Sequence, residues 1–393
     1  MSIMGAAVSG MNADTTWLAS ISQNIANANT TGYKNNQTSF EALVDQTSAA
    51  SYDAAGVSTH TISLNSMQGI VVGGQSAVTD LAVQGNGFFV VSNSAGDTFL
   101  TRDGSFVPDA SGNLVNSAGY YLMGYNIQNG PATITANSLT GTQVVNVDKA
   151  GEQATPSSTG TFAANLPSAS AVGQTETTDL VAYDNLGSAQ NLAMTFANNG
   201  GNSWQLTVTD STGATTTTNL TFNPNTGKLT SLGGGGTTLN VNVPNGQTVA
   251  LDLSGMTQLA AGYSVNTANV NGNAPSSVTG VTIGNDGTLS FQFANGQTIA
   301  GYQIPLASVA SPDNLTSVSG NAYQANFASG TVKIGTAGQA GFGTIQSSSL
   351  ESSTVDLATE LTEMINAQSA YEANSKSFQT GATLLDVLNN LKP

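Results

Sequence analysis

The sequence predicts a mixed, mainly β fold: two or more antiparallel β domains with α-helices at the N- and C-termini, the two helices pairing as a coiled coil. Three observations predict it. Apolar residues recur at alternating steps of four and three from Met4 to Ile25 and again from Leu357 to Leu388, which is one narrow stripe along a helix. Between these ends the chain reads as short alternating runs separated by Gly-, Asn- and Asp-rich turns. Finally, 44 glycines, abundant Thr, Ser, Asn and Gln, and only 8% charged residues suit turn-rich sheets better than an α/β enzyme.

Composition also sets limits. A chain of 393 residues supports two or three domains with a substantial core. Its net charge of −16, with seven scattered basic residues, excludes a phosphate track, so no nucleic acid is expected. No window approaches the roughly 18 apolar residues of a membrane span, so no membrane insertion is expected. Cysteine is absent, which removes disulfides and thiolate metal sites. The start Met1-Ser-Ile-Met-Gly lacks a basic n-region and a long apolar core, so export would leave the N-terminus intact.

Taken in order, the first helix carries Met4, Val8, Met11, Leu18, Ile21 and Ile25, and Asp14 is its one side-chain charge before Lys34. The run Asn29-Thr-Thr-Gly32 stops it, with Gly32 available for a left-handed cap. Phe40-Glu-Ala-Leu-Val44 reads as a short helix and Thr59 to Leu64 as a strand. His60, the single histidine, has no ligand partners nearby and is expected on a strand surface. Asp80 to Val91 gives two strands about Gly85-Asn86-Gly87; Val90 stands where a dinucleotide loop needs its third glycine, and a strand follows rather than a helix. Arg102 is expected to pair with Asp103 or Asp97 in preference to a partner molecule.

Ala150 to Gln174 reads as a linker into a separate β unit. That unit holds strands near 179–188, 191–196, 204–209, 219–222 and 239–243, and none of its Asp/Asn–Gly turns has calcium-loop order. Val281 to Phe293 forms a hairpin about Asp286-Gly287, and a strand follows at Thr298 to Ile304. The terminal helix has Ser353 and Thr354 as cap candidates and Asp356 near its positive end. Its stripe runs through Leu357, Leu361, Ile365, Tyr371, Phe378, Leu385 and Leu388, and is expected to meet Met4, Val8, Met11, Leu18, Ile21 and Ile25 in a seam. No nucleophile elbow, zinc-protease helix or P-loop is present, so no catalytic residue, metal site or cofactor is expected. The carboxylate neighbours Glu360 with Glu363, and Asp103 with Asp109, are expected on solvated surfaces.

Several stretches resemble one family. Met11-Asn-Ala and Ile21 to Lys34, with Asn24, Ile25, Ala26, Asn27, Asn29, Thr30, Gly32, Tyr33 and Lys34, resemble the N-terminal signature of bacterial flagellar rod and hook axial proteins. Gly85, Gly87 and Phe88, then Arg102, Gly104 and Phe106, and Gly112 to Tyr125 resemble that family's body motifs. Gly343 to Ile365 and Ala367 to Lys376 resemble its C-terminal signature.

The resemblance implies a terminal helical domain (1–30 plus 357–393), a connecting segment (31–72), a discontinuous β body (73–146 plus 281–356) and an inserted outer β domain (147–280). It implies a structural subunit of the hook, polymerising into a flexible extracellular tube that works as a universal joint between rod and filament. The partners implied are a homopolymer of identical subunits, the rod and hook–filament junction proteins, and the hook cap. A distal rod subunit is the nearest alternative, and an acidic β-rich surface adhesin is an alternative of another class.

Overall fold

Weak charge and a narrow apolar stripe make the first segment a helix that must lie against something. In the computed structural model, which describes residues 3–48, 51–128, 130–131 and 138–390, it is α1, Ile3–Ala26. The chain divides into two units. One comprises Met1–Lys149, Gly280–Phe291 and Thr298–Pro393; the other comprises Ala150–Thr279 and Gln292–Gln297.

In the first unit, α1 is followed by two strands, β1 (Asn36–Ser48) and β2 (Ser51–Ser63), in one antiparallel hairpin with Phe40 opposite Thr59. The short helix expected at Phe40–Val44 is therefore corrected to strand. An isolated helical turn there would bear the cost of nucleation for few bonds. The hairpin instead gives each residue a cross-strand partner, and α1 supplies a support: Phe40 meets Trp17 edge-on at 5.4 Å. His60 lies exposed on β2.

The body is built of short strands. β3 (Val71–Gly73) pairs with Ser349–Glu351, and β4 (Leu81–Gln84) pairs with Thr344–Ser347. β5 (Phe88–Ser92) pairs with β6 (Thr98–Thr101), Tyr121–Asn126 and Pro305–Ser308. Gly85 and Gly87 do join two strands, but β4 and β5 belong to different sheets and do not pair with each other. Alternate residues of β5 serve two packing layers. Phe89 meets Phe106 edge-on at 5.9 Å, while Phe88 and Val90 pack with Leu100, Ala307 and Tyr323. The turn about Asp286-Gly287 forms as expected, Gly284 N–H donating to Thr288 O at 2.9 Å.

The chain returns to α1 through α2, Leu357–Asn390, and the two helices pack together. The cap is Asp356, whose Oδ1 accepts the N–H groups of Ala358 (2.9 Å) and Thr359 (3.2 Å). The hydroxyl of Thr354, a cap candidate from sequence, is turned away to accept Asn35 N–H at 2.9 Å.

The second unit is a β-sandwich. Five strands, Thr175–Tyr183, Ala189–Gly200, Ser203–Thr209, Thr215–Phe222 and Leu229–Leu232, form an antiparallel meander. A second five-stranded sheet packs against it over one core that includes Trp204, Phe162, Phe196, Leu206 and Leu251. The centre of that second sheet is Thr159–Pro167, within the stretch expected to be a linker. Phe162, Ala164 and Leu166 do alternate inward, but small alanines and a Thr–Gly–Thr flank mute the signal. This strand runs parallel to Thr248–Asp252 and Thr257–Leu259, so pairing here is not all antiparallel.

Candidate functional site

Where α1 ends, the chain must turn sharply and cross the body. Gly32 lies at φ +65°, and a Cβ there would stand 2.7–2.8 Å from the Arg102 carbonyl, so both conformation and space demand glycine. The turn before it is tied by its own side chains: Asn27 Nδ2 donates to Gln23 O (2.9 Å) and Thr30 Oγ1 to Asn27 Oδ1 (3.1 Å). Gly104 is fixed by packing instead, since a Cβ would fall 1.7 Å from Leu81 O.

Two residues beyond Gly32, the Lys34 side chain runs into the interior. Its Nζ donates to Glu351 Oε1 at 2.6 Å and to Met67 O at 2.5 Å. Arg102 Nη1 donates to the other oxygen, Glu351 Oε2, at 3.0 Å, and its Nη2 donates to Gly85 O at 2.9 Å. The guanidinium also sits 5.1 Å from the centroid of Phe88, a cation–π contact. Gly69 N–H donates to Glu351 Oε1 at 2.7 Å. One buried carboxylate thus holds two of the chain's seven basic side chains and joins the helix exit, the body and the strand leading to α2. Burial pushes the Lys34 ammonium below its usual range; Glu351 opposes that shift and Arg102 adds to it. Removing one partner from such a cluster costs about 3–5 kcal/mol, because a charge is left buried alone.

The expected Arg102 pairing with Asp103 or Asp97 is corrected by this geometry. Asp103 is itself buried, its Oδ1 accepting Ser105 N–H at 3.1 Å, and burial pushes its carboxyl up. The residue that sequence reasoning did not single out is Glu351. Its one signal is a carboxylate set in a Ser- and Leu-flanked strand.

Between the helices lies a second polar cluster. Asn24 Nδ2 donates to Glu360 Oε1 (3.0 Å), Asn35 Oδ1 (3.0 Å) and Asn36 O (2.9 Å), while its Oδ1 accepts Asn36 N–H (2.9 Å) and Tyr33 O–H (3.2 Å). Asn35 Nδ2 donates to the same Glu360 oxygen at 3.0 Å. Glu360, expected on a solvated face, is 3% exposed. Burial pushes its carboxyl up; the Asn24 and Asn35 hydrogen bonds oppose this, and the charges of Glu363 and Asp356 reinforce it. Further along, Asn374 Nδ2 donates to Asp14 Oδ2 at 2.8 Å, beside Gly10.

The buried face of the helix pair is thus small or polar: Ala7, Ala13, Asp14, Ser20 and Asn24 with Ile21 on α1, and Glu360, Ala367 and Gly381 on α2. Of the sequence-predicted seam, Ile21 is buried, and Met4, Met11, Leu18, Ile25 and Phe378 are half-buried. Val8, Leu357, Leu361, Ile365, Tyr371 and Leu385 are 40–64% exposed, as are Leu384 and Val387. The Leu388 side chain lies outside the described residues. Among the described residues Ile21 is thus the one seam residue that is fully buried, and on α2 the buried positions Glu360, Ala367 and Gly381 all lie off the expected stripe. Among the described residues no group of three or more His, Cys, Asp or Glu is placed to hold a metal ion, and no helix is long and apolar enough to cross a membrane.

Comparisons with known proteins cover nearly all of the chain. Residues 4–34 match the family model of flagella basal body rod proteins, and residues 82–155 that of the flagellar hook protein FlgE/F/G D1 domain. Residues 146–273 match the flagellar basal body protein FlaE D2 domain, and residues 346–391 the flagellar basal body rod FlgEFG protein C-terminal model. The chain is 44% identical over 394 residues to flagellar hook protein FlgE of Brucella abortus biovar 1, covering 99% of this chain and 98% of that one. It is 32% identical over 407 residues to flagellar hook protein FlgE of Escherichia coli K12, covering 98% and 99%. A crystal structure of Helicobacter pylori flagellar hook protein FlgE2 aligns with a TM-score of 0.48 at 14% identity, covering 73% of this chain and 100% of that one.

Proposed function

This chain belongs to the flagellar hook protein family and is a structural subunit of the hook, not an enzyme; from that premise we propose that its exposed helix faces are the contacts that polymerise it. One observation carries the reading. Across the helix pair Asn24 bonds Glu360 and Asn374 bonds Asp14 beside Gly10, while Leu357, Leu361, Ile365, Tyr371, Leu384, Leu385 and Val387 of α2 stay exposed. Contacts that do not close into a ring generate an open helical polymer. Covering about 100–200 Å² of apolar surface per helix would contribute roughly 2.5–5 kcal/mol, part of which offsets ordering on assembly.

In this reading residues 1–30 and 357–393 form the inner tube, its helices wound as a coiled coil along the seam of Met4, Val8, Met11, Leu18, Ile21 and Ile25 with Leu357, Leu361, Ile365, Tyr371, Phe378, Leu385 and Leu388. The segment 31–72 connects this to the body at 73–146 and 281–356, and 147–280 is the outer domain. The tube meets rod and hook–filament junction proteins and the hook cap. Full-length likeness to proteins named hook subunits favours this over a rod subunit or an adhesin.

Bending needs contacts that exchange cheaply. On the outward face of the meander, Thr177 lies opposite Thr195, Thr195 opposite Thr207, and Thr207 opposite Thr217. A neutral hydroxyl face holds neighbours through water, and such contacts slide as the tube turns. The test of the polymer reading is the Leu361→Ser, Ile365→Ser double variant. Both side chains are solvent-exposed in the single chain, so its melting should be unchanged while tubes seen by negative-stain microscopy disappear. Tubes forming at the wild-type concentration would refute the reading.

A further inference from the structure

One side chain of the body is unexplained by its own fold. Phe327 is 104% exposed relative to its reference, and the next large apolar side chain among the described residues, Ile70, is at 77%. A lone exposed apolar residue is ordinarily unremarkable. Here, however, the backbone around it is held by its neighbours. Asn326 N–H donates to Ser329 Oγ (2.9 Å), Ser329 N–H donates to Asn326 Oδ1 (2.8 Å), and Ser329 Oγ donates back to Asn326 O (3.0 Å). Asn326 Nδ2 reaches Asn314 O (2.7 Å) and Thr316 Oγ1 (2.9 Å), and the fully buried Ser329 accepts Ser311 N–H on its carbonyl (3.0 Å).

Asn, Ser and Gly330 satisfy every demand of this turn, and none of these bonds uses the phenyl ring. The backbone on either side of Phe327 is therefore held by Asn326 and Ser329, while the ring itself stands in solvent. Its position also matters. Asn314 ends the Pro312–Asn314 turn that receives Asn65 Nδ2 (3.0 Å) and Ser66 N–H (2.7 Å) at the foot of the β1–β2 hairpin. The turn that carries Phe327 is thus tied, through Asn326 and Asn314, to the segment at the foot of that hairpin.

We propose that Phe327 is an anchor between subunits, its ring buried in a hollow on the body of a second copy of this chain. The inference rests on the polymer reading above, which makes other copies the surfaces that surround each body. An apolar knob entering a site elsewhere on the next molecule makes a head-to-tail contact that does not close, as a tube requires; knob against knob would close into a dimer. Aromatic side chains are also the ones enriched in interface cores.

The test uses the full chain. Phe327→Ser should leave the melting temperature unchanged and raise the concentration needed for tube formation about ten- to a hundredfold, the range expected for one buried Phe. Phe327→p-benzoylphenylalanine in assembled tubes should cross-link, on illumination, to body residues of another copy away from its own position 327. If wild-type tubes form and Phe327→Ser tubes form at the same concentration, this proposal falls and the polymer reading stands. If the wild-type chain never polymerises, both fall. A cross-link from 327 to 327, or in flagellated cells to a different protein, overturns the assignment of a second copy as occupant.

Discussion

At the scale of the residue, the chemistry of this protein lies in what it buries rather than in what it exposes. Glu351 and Glu360 are acidic groups separated by one short turn, and each is enclosed at a junction of segments. Glu351 faces two cations. Glu360 faces only amides, with the hydroxyl of Tyr33 nearby and the carboxylates of Glu363 and Asp356 adding repulsion, and its Oε2 has no hydrogen-bond partner. Its carboxyl is therefore held above its unfolded value, so the folded state binds the extra proton. The sign follows: its contribution to stability is complete below the unfolded pKa and is lost as pH rises through the folded one. Glu360→Gln removes that dependence. Relative to the variant, the wild-type chain should lose melting temperature as pH rises above the ordinary glutamate range, measured by circular dichroism in matched buffers. Parallel pH profiles for the two proteins would contradict the burial of an ionisable Glu360.

Lys34, Arg102 and Asn24 are legible in sequence as parts of a motif, but their partners are not, since Lys34 and Arg102 meet Glu351 across 317 and 249 residues. Local reasoning offers Arg102 the nearest carboxylates, Asp103 and Asp97. Desolvation reverses that choice: a buried guanidinium needs a buried anion with aligned oxygens, wherever the chain supplies it.

At the scale of the element, strong periodicity survives and weak periodicity does not. Both helices and four of the five meander strands are present where spacing puts them; Leu229–Leu232 is not among the strands read from the sequence. Phe40–Val44 becomes strand because its partner β2 and its support α1 lie outside any local window. The hairpin is tied to α1 by Trp17 on Phe40, by Ser20 Oγ donating to Asn36 O (3.1 Å) and by Val57 N–H donating to Ser9 Oγ (3.1 Å). Trp17→Ala should loosen the hairpin by about 1–3 kcal/mol, the worth of an aromatic contact with its packing area. Amide exchange should quicken in Asn36–Asn65 and stay unchanged in the sandwich strands. Equal protection of the hairpin in both proteins would show that α1 does not support it.

At the scale of the whole molecule, two units with separate cores allow separate duties. The first carries both helices and the buried ion cluster; the second has a self-contained core and a threonine-faced sheet. Joining Lys149 to Gly280 through a short Gly-Ser linker removes nearly all of the second unit. Tubes should still form, because the helix faces remain, but their curvature and bending stiffness should change. Tubes of unchanged shape and stiffness by electron microscopy would show that the outer domain has no part in flexing.

By itself the sequence determined the plan: helical ends about a β-rich middle, no catalytic apparatus, and the family to which its motifs belong. Those are matters of period, composition and local turn chemistry, each confined to a short window. The tertiary structure alone decided which face of each helix is buried inside the chain and which is left exposed. That choice is settled by volume and hydrogen bonding between distant segments: Asn24 fits Glu360, Asn374 fits Asp14 against Gly10, and Leu357, Leu361, Leu384 and Leu385 of α2 are turned outward.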